Sequence, residues 1–242
     1  MLGLGLGITN NIFLNSFLPQ DINGLEIYIS AAQQVEQTNN VINQWSNLND
    51  NRVFLKTQVG SEPIFTPSDP SVKFVGQVGG DALALNNSSS SEVEITLNQG
   101  DGGYTICFIA TCEGLDSEGI LFGSKSNANA AFQWLDDSTV RLRVAGSNYD
   151  FDTGASLNDE DFYSFMFVVT DQSGNNARMY INNTYASQKE IQENFVFGML
   201  GGNNNVPNSP SFQKIKQMII YNNAISDTDR GLLYTNVISP QI

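Results

Sequence analysis

The chain has 242 residues, of which 40% are hydrophobic and only 15% are charged, and its formal net charge is −14. This length supports one large domain with a substantial core. The acidic balance argues against nucleic-acid binding as the main function, because that function needs basic patches. The sequence contains no histidine, which excludes Ser-His and Cys-His catalytic devices and histidine-containing metal sites.

The first 20 residues have a pattern of their own, in which aliphatic residues alternate with glycine. At a period of two, this pattern places four side chains on one edge and bare backbone on the other: Leu2, Leu4, Leu6 and Ile8. Four exposed aliphatic side chains favour a docking arm, residues 1–20, that binds a partner protein or another copy of the chain. The alternative is an N-terminal strand that lies on its own domain.

The sequence before Arg52 contains no lysine or arginine, which argues against a cleavable signal peptide because such peptides begin with positive charge. No apolar run reaches the roughly 18 residues that a membrane span requires. Cys107 and Cys112 lie five residues apart in one predicted strand, so their side chains face opposite sides of a sheet and do not pair with each other. We therefore expect two buried thiols in a protein synthesised in a reducing cytoplasm.

Residues 21–242 consist of short apolar segments separated by turn formers, with neither an internal repeat nor a linker that would divide them. The pattern predicts strands at 25–30, 41–45, 72–76, 82–85, 92–97, 104–110, 120–123, 131–134, 139–144, 162–169, 178–181, 195–198 and 215–221. One helix is predicted at 226–234, with Ser226 as the N-cap and Asp229 at the third helical position. About a dozen strands and one short helix indicate an all-β sandwich.

The predicted strand at 162–169 is apolar on both faces. One face carries Tyr163, Phe165, Phe167 and Val169, and the other carries Phe162, Met166 and Val168. A strand of this kind must be covered on both sides, so it is predicted to lie at the centre of a packed sheet. A polar loop and a second strand follow it, and Asn182-Asn183 then predicts a tight hairpin turn, because asparagine tolerates positive φ.

Three segments, in this order and spacing, carry a family resemblance. Residues 70–85 contain Phe-Val-Gly and then Asp-Ala-Leu-Ala-Leu, and residues 163–183 contain an aromatic strand, an Asp-x-Ser-Gly loop and Arg-Met-Tyr-Ile-Asn-Asn. Residues 212–230 contain a strand that ends in Ile-Tyr-Asn-Asn-Ala-Ile-Ser-Asp-Thr-Asp-Arg. Over most of residues 24–236, the chain resembles the concanavalin A-like, laminin G-like jelly-roll domains.

This resemblance implies a jelly-roll sandwich of two antiparallel sheets over residues 21–242, with one short C-terminal helix and an extended N-terminal arm. Gln44-Trp45 and the Asn/Asp-rich turn after it fit a tryptophan-containing segment near the start of many such domains. The sequence departs from the family's pattern at three positions. Asn183 replaces the usual turn glycine, and Asn47 and Asn49 stand where an aspartate and a glycine are usual.

The Leu-Gly pattern at the start of the chain is similar to the N-terminus of some tailed-bacteriophage virion proteins, which often carry laminin G-like domains as head decorations, fibres or adhesins. This second resemblance implies a non-enzymatic structural virion protein that assembles through residues 1–20 with other virion proteins or with copies of itself. The expected location is the virion, after synthesis in the host cytoplasm. The alternatives are a glycan-binding adhesin that recognises the host surface and, third, a glycoside hydrolase.

Some domains of this family are glycosidases, which need two carboxylates about 5 to 9 Å apart. Glu92 and Glu94 are the best such pair, but the Glu-x-Asp-x-Glu pattern of the family's catalytic strand is absent here. Their alternation with Val93, Ile95 and Leu97 predicts that both carboxylates lie on a solvated strand face. We therefore expect no catalytic residue.

Glycan recognition would use an exposed aromatic side chain beside amide and carboxylate groups. The candidates for this aromatic platform are Tyr104, Trp134 and Tyr149.

Calcium is a common ligand of this fold, and oxygen-rich loops offer it four carboxylates: Asp50, Asp101, Asp116 and Asp171. Such loops are also ordinary turns, and their spacing matches no calcium-binding motif. No metal ligand is therefore assigned, and no cofactor is predicted.

Overall fold

The computed structural model describes residues 17–56, 63–74, 82–113, 119–202 and 212–242. These residues form antiparallel strands and one α-helix, α1 (Asp227–Leu233). The strands are β1 (Leu25–Ser30), β2 (Val35–Thr38), β3 (Val41–Ser46), β4 (Val53–Lys56), β5 (Ile64–Thr66), β6 (Ser71–Phe74), β7 (Leu83–Asn86), β8 (Ile95–Leu97), β9 (Tyr104–Glu113), β10 (Ile120–Gly123), β11 (Ala131–Trp134), β12 (Thr139–Val144), β13 (Ser147–Asp152), β14 (Tyr163–Val169), β15 (Ala177–Ile181), β16 (Thr184–Lys189), β17 (Phe195–Phe197), β18 (Met199–Leu200) and β19 (Phe212–Tyr221).

The strands form two stacked layers. Layer one has the order β16-β15-β14-β9-β19, and both β1 and β6 pair with the free side of β19. Layer two has the order β2-β3-β4-β7-β18-β10-β11-β12-β13. Strand β5 pairs with both β3 and β6 and joins the layers at one edge, while β8 and β17 form a separate pair. The predicted all-β jelly-roll sandwich is confirmed.

Strand β14 is the central strand that the sequence predicts. It pairs along its whole length with β9 on one side, and with β15 on the other. Phe165, Phe167 and Val169 point into the core between the layers. Met166 and Val168 belong to a second apolar cluster on the outer face of layer one.

Aromatic rings fill the core between the layers. Phe108 of β9 stacks on Phe165 with ring centroids 5.3 Å apart and meets Phe122 and Phe132 of layer two edge-on at 5.1 and 4.8 Å. These offset and edge-to-face arrangements are the favourable geometries for aromatic pairs. The two layers are therefore held together by an interlocked aromatic cluster, in addition to aliphatic side chains.

The outer face of layer one is covered by the two ends of the described chain. The covering side chains come from residues 17–22, from α1 and from the π-helical turn Tyr234–Ile238: Phe17, Ile22, Leu233, Val237 and Ile238. Ser226 caps α1 as predicted, because its Oγ accepts a hydrogen bond from the Asp229 N–H at 3.1 Å. Layer one is thus buried on both faces.

Residues 17–22 lie against the domain. The buried Tyr221 hydroxyl donates a hydrogen bond to the Pro19 carbonyl oxygen at 3.1 Å, and Ile22 is buried. The other part of the predicted docking arm, including Leu2, Leu4, Leu6 and Ile8, lies outside the described residues.

Asparagines occupy the positions where the sequence departs from the family's pattern. Asn182 and Asn183 adopt φ values of 48° and 64°, so the tight turn forms without glycine. Asn47 is buried and its Oδ1 accepts a hydrogen bond from the Tyr28 N–H at 2.8 Å. Asn49 donates to the Leu25 carbonyl oxygen at 2.7 Å, so the turn after β3 is tied to β1.

Six strands were not predicted: β2, β4, β5, β13, β16 and the two-residue β18. Strand β13 reads Ser-Asn-Tyr-Asp-Phe-Asp, a composition typical of a loop, and it forms because every residue pairs with β12. Cross-strand pairing of this kind overrides weak intrinsic propensity. Strand β16 is also polar, and it forms because it pairs with β15 in a hairpin at the edge of layer one.

Cys107 is a free, buried thiol on the outer face of layer one, and burial raises its pKa. Within the described ranges, no helix has the length and apolarity that crossing a membrane would require.

Candidate functional site

The structure corrects two of the three predicted aromatic platforms. Tyr104 is 0% exposed and Trp134 is 1% exposed, so neither ring is available to stack on a sugar. Both point into the core because they lie on the same strand faces as Ile106 and Phe132. Tyr149 is half-buried and packs against the core.

Tyr149 lies at the edge of the sandwich, on β13, the last strand of layer two. It is opposite Leu142 of β12, and one side of its ring packs against the core. Its hydroxyl donates a hydrogen bond to Glu193 Oε2 at 2.7 Å. The same carboxylate oxygen accepts a second hydrogen bond, at 3.1 Å, from the Gln192 N–H.

The loop that carries Glu193, residues 190–194, is anchored to the domain at two points. Ile191 is fully buried, and its backbone N–H and C=O bond to the Asn176 side chain at 2.8 and 2.7 Å. Asn194 Oδ1 accepts a hydrogen bond from the Gln99 N–H at 2.8 Å. These contacts hold the backbone on both sides of Gln192 and Glu193 in place.

We call the group formed by Tyr149, Glu190, Gln192 and Glu193 the Tyr149 edge. Glu190 and Gln192 are exposed, and Gln192 Nε2 donates a long hydrogen bond of 3.5 Å to Glu190 Oε1. The group combines an accessible aromatic ring, two carboxylates and a primary amide. Such a set can stack on the apolar face of a sugar ring and bind its hydroxyl groups.

The two phenols near this edge are kept neutral. Burial raises the pKa of Tyr149, and the hydrogen bond to Glu193 and the charge of Glu190 add to this, so that the pKa reaches about 12. Burial also raises the pKa of Tyr104, with further contributions from Glu193 and Tyr149. The Tyr104 hydroxyl is buried and has no hydrogen-bond partner among the described residues.

The predicted solvated pair, Glu92 and Glu94, is exposed, while Ile95 and Leu97 are buried. Both carboxylates have partners, however. Glu92 forms an ion pair with Lys125 at 2.9 Å. Glu94 accepts hydrogen bonds from two backbone N–H groups and two hydroxyls of residues 124–126, at 2.6 to 3.1 Å.

These contacts decide the charge of Glu94. Partial burial acts to raise its pKa, but the hydrogen bonds from Ser126, Ser124 and Lys125 outweigh burial and lower the pKa. The carboxylate therefore fixes the loop after β10 and remains ionised.

Among the described residues, no group of three or more Asp, Glu or Cys side chains comes together. The Asp50 carboxylate is bound by Arg52 at 2.6 Å and by Asn47 at 2.8 Å. Asp101 and Asp171 lie on exposed turns, and Asp116 lies outside the described residues.

A cleft of about 460 Å³ on the outer face of layer one is lined by Lys216, Asp69 and the C-terminal residues 240–242. The Lys216 ammonium forms an ion pair with Asp69 at 2.8 Å, donates to the Gln241 carbonyl oxygen at 3.1 Å and lies 4.0 Å from the centroid of Phe162. The charge in this cleft is thus neutralised by the chain itself.

Most of the Tyr149 edge was not predicted from the sequence. Glu190, Gln192 and Glu193 belong to an ordinary polar loop, and no local pattern distinguishes them. Tyr185 was not predicted either; it is 49% exposed and lies at the opposite end of β16 from Glu190. Tyr185 meets Tyr180 edge-on at 6.0 Å.

The sequence and fold identify the class of protein. Residues 79–229, more than half of the chain, match the profile of the Concanavalin A-like lectin/glucanases superfamily. The chain belongs to this superfamily. No curated protein sequence matches it significantly.

Solved structures share the fold at low sequence identity. The binding domain of Paraclostridial Mosquitocidal Protein 1 has a TM-score of 0.59 and 14% identity, covering 90% of this chain and 52% of the toxin domain. A botulinum neurotoxin type C structure, from a protein that depends on two ganglioside molecules to enter cells, has a TM-score of 0.56 and 11% identity over 88% and 51%. Trypanosoma rangeli sialidase has a TM-score of 0.53 and 13% identity over 90% and 34%. The chain thus spans about half of the toxin structures and a third of the sialidase.

The contact between Tyr149 and Glu193 predicts a titration. In the folded protein, the phenol of Tyr149 is expected to ionise near pH 12, about two units above its ordinary pKa of 10. Its folded pKa exceeds the unfolded one, so the stability that it contributes is complete below about pH 10 and is lost between about pH 10 and 12. NMR of tyrosines labelled at Cζ measures the midpoint, with Tyr149→Phe to assign the signal.

Glu193→Gln should lower that midpoint, because it removes the charge that disfavours the phenolate, while burial keeps the midpoint above 10. A Tyr149 midpoint near 10 in the wild-type protein would contradict the described contact.

Proposed function

We propose that this chain is a non-enzymatic, lectin-like module that binds a surface glycan at the Tyr149 edge. The observation that carries the proposal is the half-buried Tyr149 ring, fixed by its hydrogen bond to Glu193 beside a second carboxylate and an amide. Sugar sites need such polar groups at set positions next to an apolar surface.

The fold supports a binding role of this kind. The superfamily includes lectins, one of the similar structures is the binding domain of a toxin, and another comes from a toxin whose cell entry depends on two ganglioside molecules. The anchoring of residues 190–194 by Asn176 and Ile191 also supports it, because a rigid loop is suited to recognition.

The proposal predicts that a glycan array probed with the purified protein gives specific positive signals. Tyr149→Ala should weaken binding of the best glycan about fivefold or more, because truncating a central aromatic anchor typically costs more than about 1 kcal/mol. Calorimetric titration measures the change. Tyr185→Ala is the matched control, since it removes an exposed tyrosine at the other end of β16.

Two outcomes would count against this assignment. An array without specific signals would remove the proposed function. Loss of binding in Tyr185→Ala but not in Tyr149→Ala would move the site to the Tyr180–Tyr185 pair.

We also propose that the chain has no glycosidase activity, because of the surroundings of Glu94. A general acid in a glycosidase needs a raised pKa, whereas the hydrogen bonds to Glu94 lower its pKa. Glu92 is paired with Lys125. Both carboxylates therefore have a structural role, which is to hold the loop after β10.

We expect no release of reducing sugar from polysaccharides by the wild-type protein. Glu94→Gln should instead reduce stability by about 1–3 kcal/mol, because charge-assisted hydrogen bonds to the loop are lost; denaturant unfolding measures this. Glu92→Gln is the control and should change stability by less than about 1 kcal/mol, as for an exposed ion pair. Wild-type hydrolysis that disappears in Glu94→Gln would establish a hydrolase instead.

A second candidate role concerns assembly, and the Leu-Gly pattern of residues 1–8 favours it. In this role, the N-terminal arm docks the domain onto a virion protein or onto copies of itself, and the sandwich is displayed for glycan binding. Each aliphatic side chain buried in such a contact contributes roughly 1.5–3 kcal/mol, so the four of them suffice for stable docking. The two roles are compatible, because residues 17–22 fix the arm's attachment to the outer face of layer one.

Truncation separates the arm from the domain. A chain of residues 17–242 should keep the full-length free energy of unfolding and lose self-association in sedimentation velocity experiments. A chain of residues 23–242 should be destabilised by about 1–3 kcal/mol, because the buried Tyr221 hydroxyl loses its acceptor, the Pro19 carbonyl. Identical self-association of the full-length chain and residues 17–242 would contradict docking between copies of the chain through the arm.

A further inference from the structure

The charges at the Tyr149 edge point to the kind of sugar that it takes. The charged groups that act on Tyr149 are Glu193 and Glu190, and the charged group that acts on Tyr104 is Glu193. Lys189 directly precedes Glu190 in the sequence, but its positive charge acts on Asp150. The Asp150 side chain points away from the core side of β13 and is bound by Arg141 at 2.6 Å. Negative charge therefore dominates at this edge.

Hydrogen-bonding capacity at the edge has the same bias. Tyr149 uses its proton on Glu193 Oε2, so its oxygen can only accept further hydrogen bonds. Glu193 Oε1 has no partner among the described residues, and Glu190 receives only the long contact from Gln192. Acceptors outnumber donors, so a ligand that donates protons and carries positive charge fits best.

The buried Tyr104 hydroxyl is a second polar group near this edge whose hydrogen-bonding capacity is not used by the described residues. It is fully buried, it has no partner among the described residues, and it lies close enough to Glu193 for that carboxylate to raise its pKa. A buried polar group without a partner is uncommon in folded proteins and marks a position where a further polar group is expected.

Building on the proposed function, we propose that the Tyr149 edge selects glycans that carry protonated amino sugars, as in glucosamine polymers, over neutral N-acetylated and anionic sialylated glycans. The ammonium group binds between Glu193 and Glu190, and the sugar ring lies on the accessible part of Tyr149. Sialylated glycans are disfavoured because their carboxylate meets two like charges and a net charge of −14.

A pair of matched ligands tests this inference: a chitosan tetrasaccharide and its fully N-acetylated counterpart, which differ only in the acetyl groups, with sialyllactose as the anionic probe. We expect the chitosan tetrasaccharide to bind about tenfold more tightly than the acetylated form at low salt, from two exposed ion pairs. This advantage should shrink at about 1 M salt, where the Debye length falls to about 3 Å. Calorimetry or NMR titration of the full chain measures both affinities.

The variants distinguish a specific site from general attraction between a polycation and an acidic protein. Glu190→Gln together with Glu193→Gln should abolish the advantage of the chitosan tetrasaccharide, and Glu190→Gln alone should reduce it. Glu36→Gln is the control, because it removes an exposed charge from β2, at the opposite edge of layer two. An advantage that survives the double substitution, or that falls equally in Glu36→Gln, would overturn the inference.

The outcomes also separate this inference from the proposed function. Equal binding of both tetrasaccharides, with both lost in Tyr149→Ala, would leave a glycan site at the Tyr149 edge and refute its selection for positive charge. Tighter binding of sialyllactose would refute that selection in the same way. Binding of no glycan at all, here or on the array, would refute the proposed function and the inference together.

Discussion

The burial of layer one on both faces is the constraint on which the rest of the structure depends. Its central strands carry Phe165 and Phe167 toward the aromatic core and Met166 and Val168 toward the outside. Each such side chain gains roughly 1.5–3 kcal/mol from full burial, so both faces need cover. Layer two covers one face, and α1 with residues 17–22 covers the other.

The Tyr149 edge lies where β13 ends layer two and the loop after β16 closes the sandwich. Contacts within the fold hold its loop in place. The Asn176 side chain bonds to both the backbone N–H and the C=O of Ile191, and Ile191 itself is fully buried in the core. Glu193 is therefore presented to Tyr149 by the same packing that stabilises the fold.

Carboxylates have different roles at two places in the molecule. Glu94 accepts four hydrogen bonds from the loop after β10, and its capacity is used within the chain. Glu193 accepts hydrogen bonds from Tyr149 and Gln192 through Oε2, and its Oε1 has no partner among the described residues. The first carboxylate is a structural clamp, whereas the second uses only one of its oxygens. Residue type alone would not separate them, because the difference lies in which donors the fold brings near.

The sequence by itself determined the sandwich, the two-faced strand β14, the Asn182-Asn183 turn and the Ser226 cap, because these follow from hydrophobic period and local turn chemistry. Only the tertiary structure decided which aromatic rings are accessible. Tyr104, Trp134 and Tyr149 look alike in sequence, and their exposure depends on whether the strand lies inside a layer or at its edge. The partnership of Tyr149 with Glu193 joins residues 44 positions apart. Such a contact is set by chain topology, which no local pattern encodes.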